Sequence, residues 1–260
     1  MKNTKFYLQA AMLLLPAFLS AQNVIPEPTQ YRPAKGQFVL TAAETKAFEA
    51  QDVLPGRVVQ YVISGSTPMD ADEAYHLKIT PDSVFIQSAT ATGAFRGKET
   101  LKQLLRSGKG TAKACVINDA PRYAWRGFML DESRHFFGKK KVKQLLDIMA
   151  SLRLNVFHWH LTDEPGWRIE IKKYPLLTQI GAKGNWHDPD APATFYTQDD
   201  IKEIVAYAAA RYIMVVPEFD MPGHATAACR AYPELSGGGE GRWKDFTFHP
   251  CKEETFRFIS

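Results

Sequence analysis

Three mostly apolar runs, each closed by polar residues, mark the second half of the chain. Gly127–Leu130 ends in Asp131-Glu132-Ser133-Arg134, and Asn155–Trp159 ends in His160-Leu161-Thr162-Asp163-Glu164. Ile213–Val216 ends in Pro217-Glu218-Phe219-Asp220. Runs of this length, apolar on both faces, read as buried parallel strands. Helical signals separate them. Val142, Leu145, Leu146 and Met149 recur at i, i+3, i+4 and i+7. After a long connection, Pro165–Tyr196, Thr197 and Asp200 form a capping-box signature ahead of Ile201, Ile204, Val205 and Ala208. Strand–helix alternation of this kind predicts βα units. The polar residues gather at the C-terminal strand ends, which is the active face of a βα barrel. A doubly wound sheet would carry a Gly-rich turn after its first strand, and none follows Leu130. The expectation is an α/β fold that begins a (β/α)8 TIM barrel, with about three βα units present.

The pattern before Pro121 is different. Val58–Ile63 is a short apolar run, and Tyr75, Leu77 and Ile79 alternate with His76 and Lys78 as in a half-buried strand. Val84-Phe85-Ile86 follows a Pro81-Asp82 turn. Beyond Gly93, Leu101, Leu104 and Leu105 share a helical face, and Val116-Ile117 closes the region. Residues 22–121 therefore read as a small α+β domain and 122–260 as barrel. At the N-terminus, Lys2 and Lys5 precede an apolar stretch to Leu19, then Ser20-Ala21-Gln22. This reads as a signal peptide, residues 1–21, cleaved after Ala21. The run Ala10–Leu19 is broken by Pro16 and falls short of the ~20 residues of a membrane span. A secreted or periplasmic location follows as an expectation.

Composition adds exclusions. A chain of 260 residues, 45% hydrophobic and 23% charged, is not disordered or low-complexity. A net charge of +4 from 32 basic and 28 acidic residues makes no case for nucleic acid. Of Cys115, Cys229 and Cys251, the last two would close a loop around the Gly-rich Ser236–Gly241, a bridge that an oxidising compartment would permit.

The strand ends hold the candidate chemistry, and each residue there has two readings. Arg134 either pairs with Asp131 or Glu132, or presents a planar donor fork to sugar hydroxyls or a carboxylate. His158 and His160 share one strand face. They are either zinc ligands, with Asp163, Asp220 or His224 completing the set, or one buried and one site-facing histidine. Neighbouring carboxylates occur at Asp72-Glu73, expected in a solvated loop, at Asp131-Glu132 and at Asp163-Glu164. Adjacent strand residues face opposite ways, so Glu164 and Glu218 make the better facing pair, about 5–5.5 Å apart in a retaining glycosidase and wider in an inverting one. Trp159, Trp167, Trp186 and Trp243 either stack on sugar rings or pack.

Taken together, Arg126-Gly127-Phe128-Met129-Leu130-Asp131-Glu132-Ser133-Arg134-His135, Leu154–Glu164, Gly166-Trp167-Arg168 and Pro217-Glu218-Phe219-Asp220-Met221-Pro222-Gly223-His224 resemble glycoside hydrolase family 20, the β-N-acetylhexosaminidases. The resemblance runs from about Arg122 to Ser260, with the N-terminal unit similar to the small domain that precedes the family's barrel. It implies release of terminal β-linked N-acetylglucosamine or N-acetylgalactosamine, without cofactor or metal. The substrate's own 2-acetamido oxygen attacks the anomeric carbon, so no protein nucleophile is needed. It further implies that Arg134, Asp163 and His224 bind substrate, supported by His160, Asp220 and Glu218. The family's catalytic Asp-Glu follows Gly-Gly at the fourth strand. None of the three Asp-Glu pairs has that setting, and Gly238-Gly239-Glu240 lacks the Asp. The catalytic pair is thus expected beyond Ser260, with the chain stopping before the fourth strand. Two other readings are a glycan-binding remnant without catalysis and a zinc hydrolase built on His158, His160 and His224.

Overall fold

The computed structural model describes residues 24–62 and 73–260. The leader assigned to residues 1–21, Ile63 and Asp72 lie outside the described residues.

The first unit is a five-stranded sheet with order β1-β5-β3-β4-β2. Its strands are β1 (Gln30–Val39), β2 (Val58–Val62), β3 (Tyr75–Ile79), β4 (Val84–Ser88) and β5 (Thr111–Asp119), with helices α1 (Ala42–Gln51) and α2 (Ala91–Ser107). The alternation in β3 is realised: Tyr75, Leu77 and Ile79 are buried while Lys78 is exposed. Leu101, Leu104 and Leu105 of α2 complete the core with Val84 and Ile86. Thr90 caps α2 by accepting the Gly93 N–H at 3.0 Å. A Cβ at Gly93 would lie 2.3 Å from the Ala74 carbonyl oxygen, so glycine permits the helix to seat on the sheet. β1 and α1 were not expected from the sequence. β1 buries only Phe38 and α1 only Phe48, so neither carries a periodic apolar signal.

The second unit is a parallel three-stranded sheet of β6 (Gly127–Asp131), β7 (Val156–Thr162) and β8 (Met214–Phe219), in that order. Helices α3 (Lys139–Ser151) and α5 (Gln198–Ala209) connect them, and α4 (Leu176–Gln179) lies in the long connection. The short α6 (Thr226–Ala231) and α7 (Glu253–Ile259) follow β8. These are the βα repeats expected. Val142, Leu146 and Met149 of α3 and Ile204 and Ala208 of α5 share one core with Phe157, Trp159 and Leu161 of β7. The capping box on Thr197 and Asp200 is present.

Strands β7 and β8 run three residues past the apolar runs, because His160, Thr162 and Glu218 stay in the ladder. Pro217 is tolerated because β8 pairs on one side only among the described residues, which leaves no ladder partner for a missing N–H.

Two expectations are corrected. Glu73 is not solvated: its Oε2 accepts from Arg96 Nε at 2.7 Å and from Arg126 Nη2 at 2.5 Å. Arg96 also donates to the Tyr212 carbonyl at 2.9 Å, so this cluster ties the first unit to the second. Burial pushes the Glu73 carboxyl up, but the two guanidiniums outweigh it and lower its pKa. The bridge between Cys229 and Cys251 is absent. Cys229 is buried on α6 with Sγ 3.9 Å from the Thr247 carbonyl oxygen, whereas Cys251 is exposed. One thiol faces the core and the other solvent. Burial raises the Cys229 pKa to about 11.

Candidate active site

Register aligns the three strand ends. Asp131 of β6 lies opposite His160 of β7, which lies opposite Glu218 of β8. In β7, Phe157, Trp159 and Leu161 point to the helices, so the period of two sends His158 and His160 to the other face. His160 is buried and His158 partly exposed, as one sequence reading had it. Both reach Glu218: His160 Nδ1 is 3.0 Å from Oε1, and His158 Nε2 contacts Oε2.

Asp163, just past β7, is the hub. Its side chain is fully buried and accepts from four donors. Arg134 Nη2 at 2.6 Å and His160 Nε2 at 2.9 Å approach Oδ2. His224 Nδ1 at 2.9 Å and the Glu164 N–H at 2.6 Å approach Oδ1. Only a carboxylate serves four donors without offering a proton. Burial would raise its pKa, and these donors more than offset that and lower it. Arg134 is also held by Asp131, with Nη1 donating to Oδ2 at 2.8 Å and the backbone N–H to Oδ1 at 3.0 Å. Its pairing is therefore with Asp131 and Asp163, not Glu132. Despite both partners, 37% of the Arg134 side chain remains exposed.

The bond to the Asp163 carboxylate places a His224 proton on Nδ1. His224 sits at φ +54°, the left-handed region that a non-glycine residue enters at a cost. The following helix turn and the packing of its ring on Phe246, with centroids 4.9 Å apart, hold it there. Asp220 completes a group with His160 and Asp163 whose ligand atoms lie within 4.8 Å, and its N–H donates to Thr162 Oγ1. The six residues proposed from sequence are thus brought together.

Glu132 turns the other way from Asp131. It is buried, accepting from the Phe137 N–H and the Tyr196 hydroxyl, each at 2.8 Å. Burial raises its pKa. Trp159 and Trp167 belong to the core, while Trp186 and Trp243 are exposed.

Arg168, the last residue of the Gly166-Trp167-Arg168 motif, is a central support. Its fully buried guanidinium donates to the carbonyls of Ala182, Ser133, Gly184 and Thr194 at 2.7, 2.9, 2.7 and 3.2 Å. Ser133 precedes Arg134, and Trp186, two residues past Gly184, donates its N–H to the Arg134 carbonyl. One side chain therefore joins the loop after β6 to the long connection. Gly166 is required beside it, because a Cβ there would lie 2.2 Å from Arg168 Cζ. The motif Gly166-Trp167-Arg168 thereby acquires a reason: close approach, core ring, loop clamp.

Comparison with known proteins identifies relatives of both units. The model of the glycosyl hydrolase family 20 catalytic domain matches residues 123–260, and that of the family's domain 2 matches 44–120. A beta-hexosaminidase of Porphyromonas gingivalis is 34% identical over 263 residues, covering 88% of this chain and 34% of that protein. A beta-N-acetylhexosaminidase of Cellulomonas fimi is 41% identical over 186 residues, covering 70% of this chain and 37% of that protein. The chain thus spans less than half the length of these curated relatives. Among solved structures, the Streptomyces plicatus N-acetyl-beta-hexosaminidase in complex with Thio-NAglucal superposes with a TM-score of 0.79 at 32% identity, covering 91% of this chain and 55% of that one. The beta-N-acetylhexosaminidase from Bacteroides fragilis gives a TM-score of 0.75 at 31% identity, covering 92% and 52%. With a family model spanning more than half its length, this chain belongs to glycosyl hydrolase family 20.

Proposed function

We propose that these residues form the sugar-holding side of a β-N-acetylhexosaminidase site, acting on terminal β-linked N-acetylglucosamine or N-acetylgalactosamine by substrate-assisted, retaining hydrolysis. The observation that carries the reading is the Arg134 guanidinium. Two carboxylates, Asp131 and Asp163, fix it at the C-terminal end of the sheet while more than a third of it stays open to a ligand. A fork anchored in this way presents its remaining N–H groups to vicinal hydroxyls with little entropy left to lose. His224, with Nδ1 committed to Asp163, keeps 40% of its side chain exposed beside it. In this reading the general acid and the group that orients the acetamide come from elsewhere than Glu73, Glu132 or Glu164. Glu73 is tied to two arginines at the junction and Glu132 is buried behind the site. Glu164 is 3.8 Å from His224 on the sugar-holding side.

The test is binding. A charge-assisted hydrogen bond contributes about 1.5–3 kcal/mol, so Arg134→Ala is expected to weaken binding of methyl N-acetyl-β-glucosaminide by roughly ten- to a hundredfold, read by NMR titration. Unchanged affinity would remove the hydroxyl-clamp role.

The zinc reading has less geometry behind it. The two close His/carboxylate groups among the described residues, His160-Asp163-Asp220 and Asp163-Glu164-His224, both turn on a carboxylate already paired with Arg134, and His158 joins neither. Metal analysis showing one equivalent of zinc would reinstate it. For location, the basic and apolar leader supports export, secreted or periplasmic; N-terminal sequencing of the exported chain is expected to begin at Gln22, and retention of residues 1–21 would count against it.

A further inference from the structure

We propose that Glu218 is a positioning residue of this site: clamped between His158 and His160, it fixes the proton on His160 that orients Asp163 and Arg134. His160 is the link that both sides share. Its Nδ1 lies 3.0 Å from Glu218 Oε1, and its Nε2 lies 2.9 Å from Asp163 Oδ2. Carboxylates on opposite nitrogens require an N–H on each, which makes the ring an imidazolium. The same Nε2 is also 3.2 Å from Arg134 Nη1. These two contacts exclude each other. With both protons, Nε2 donates to Asp163 and leaves Arg134 Nη1 to Asp131. With the proton on Nδ1 alone, a lone pair faces Asp163 and the only donor able to serve it is Arg134, drawn away from Asp131.

Glu218, not Asp163, decides between these arrangements. Asp163 keeps three other donors, Arg134, His224 and the Glu164 N–H, if His160 withdraws. Glu218 takes the two imidazoles as its partners, and its second oxygen on His158 holds the carboxylate in line with His160. The ionisable groups around His160 are Asp131 and Arg134 from the β6 end, His158 and Asp163 from β7 and its loop, and Glu218 and Asp220 from β8. Around the ring stand four carboxylates against one guanidinium and one other imidazole, a balance that favours a charged ring. Burial opposes that charge, but the bonds to Asp163 and Glu218 outweigh it and raise the His160 pKa. The sign follows: the contribution of the imidazolium is complete below the ordinary imidazole value of about 6.5 and is lost as pH rises through the higher folded value. His158 and Glu218, both about one-third exposed, form the end through which the proton exchanges with solvent.

The sugar-orienting role rests on the amino-sugar reading above, whereas the proton arrangement does not, and the experiment separates them. Histidine side chains of the full chain are titrated by 1H–15N NMR, with His76, His187 and His249 as internal controls. His160 is expected to titrate above the free-imidazole value, and Glu218→Gln, which keeps the shape and removes the charge, to lower its midpoint by about one unit, a tenfold loss of proton affinity. His158→Gln is expected to leave His160 charged at pH 6, because Glu218 still faces it. A variant that merely loosened the fold would shift the melting temperature without moving one histidine's midpoint. A wild-type His160 that is neutral at pH 6, or an unmoved midpoint in Glu218→Gln, overturns the clamp. If Glu218→Gln does not fold, the wild-type titration and His158→Gln decide. Expected titrations in a chain that binds no N-acetylglucosaminide at any pH would uphold the clamp and sink the amino-sugar reading alone.

Discussion

Arg168→Met is expected to destabilise the chain by about 3–5 kcal/mol, a large part of the 5–15 kcal/mol that holds a typical domain together. Methionine fills much of the same space, so the loss is one of hydrogen bonds. The carbonyls of Ala182, Ser133, Gly184 and Thr194 each lose their guanidinium donor. A buried acceptor left unsatisfied costs about 1–3 kcal/mol. Relaxation of the exposed part of the loop recovers some of it, which places the net below the simple sum. Replacing a buried charge with an apolar residue is often neutral when a partner charge is removed with it. Here the partners are backbone carbonyls, which no side-chain substitution removes. Arg168→Lys is expected to recover less than half, because one ammonium does not span four diverging acceptors. Urea unfolding checks both variants through the midpoint at constant slope. Limited proteolysis adds a local readout, with cleavage within 182–194 preceding global unfolding. An Arg168→Met midpoint equivalent to less than about 1 kcal/mol of loss would show that the loops are held by something else.

The purified 260-residue chain is expected to release no nitrophenol from nitrophenyl N-acetyl-β-glucosaminide. General acid catalysis alone contributes typically 10²–10⁴ in rate, and electrostatic stabilisation of the attacking acetamide adds to it. Two of the three glutamates next to an Asp are committed elsewhere, Glu73 to two arginines and Glu132 to Tyr196 and Phe137, and the third, Glu164, lies 3.8 Å from His224 on the side that holds Arg134. Binding without turnover is therefore the expected behaviour, with Arg134 dependence in binding and none in rate. Turnover above the buffer blank that Glu164→Gln abolishes would overturn this and make Glu164 the acid.

The sequence made the βα repeats legible because a strand buried on both faces and a helix buried on one leave unmistakable patterns, as in Phe157–Leu161 and Val142–Met149. It was silent on β1 and α1, where burial of a single phenylalanine leaves no period to detect. Arg134, Asp163 and His224 were legible as motif residues at strand ends. The pairing of Glu218 with two histidines was not, since it depends on the register between β7 and β8, which the residues of neither strand specify alone. Arg168 was opaque for another reason: its partners are carbonyls, which every residue carries. Trp159 carries a usable signal. It alternates with His158 and His160, so placing the histidines toward the site already placed Trp159 in the core.

The rung formed by Asp131, His160 and Glu218 has a consequence for how the molecule assembles. Parallel strands have no hairpin to set their alignment. A slip of one residue would send His160 and Glu218 into the apolar layer beneath α3 and α5 and bring Phe157 and Trp159 out. Oppositely charged groups at one level therefore serve as an alignment mark, rewarded only when three strands stop at matching heights. Acquiring the geometry of the Arg134–Asp163–His160 site and proof-reading the strand alignment are then a single event, and the His160 resonance that reports the first also reports the second.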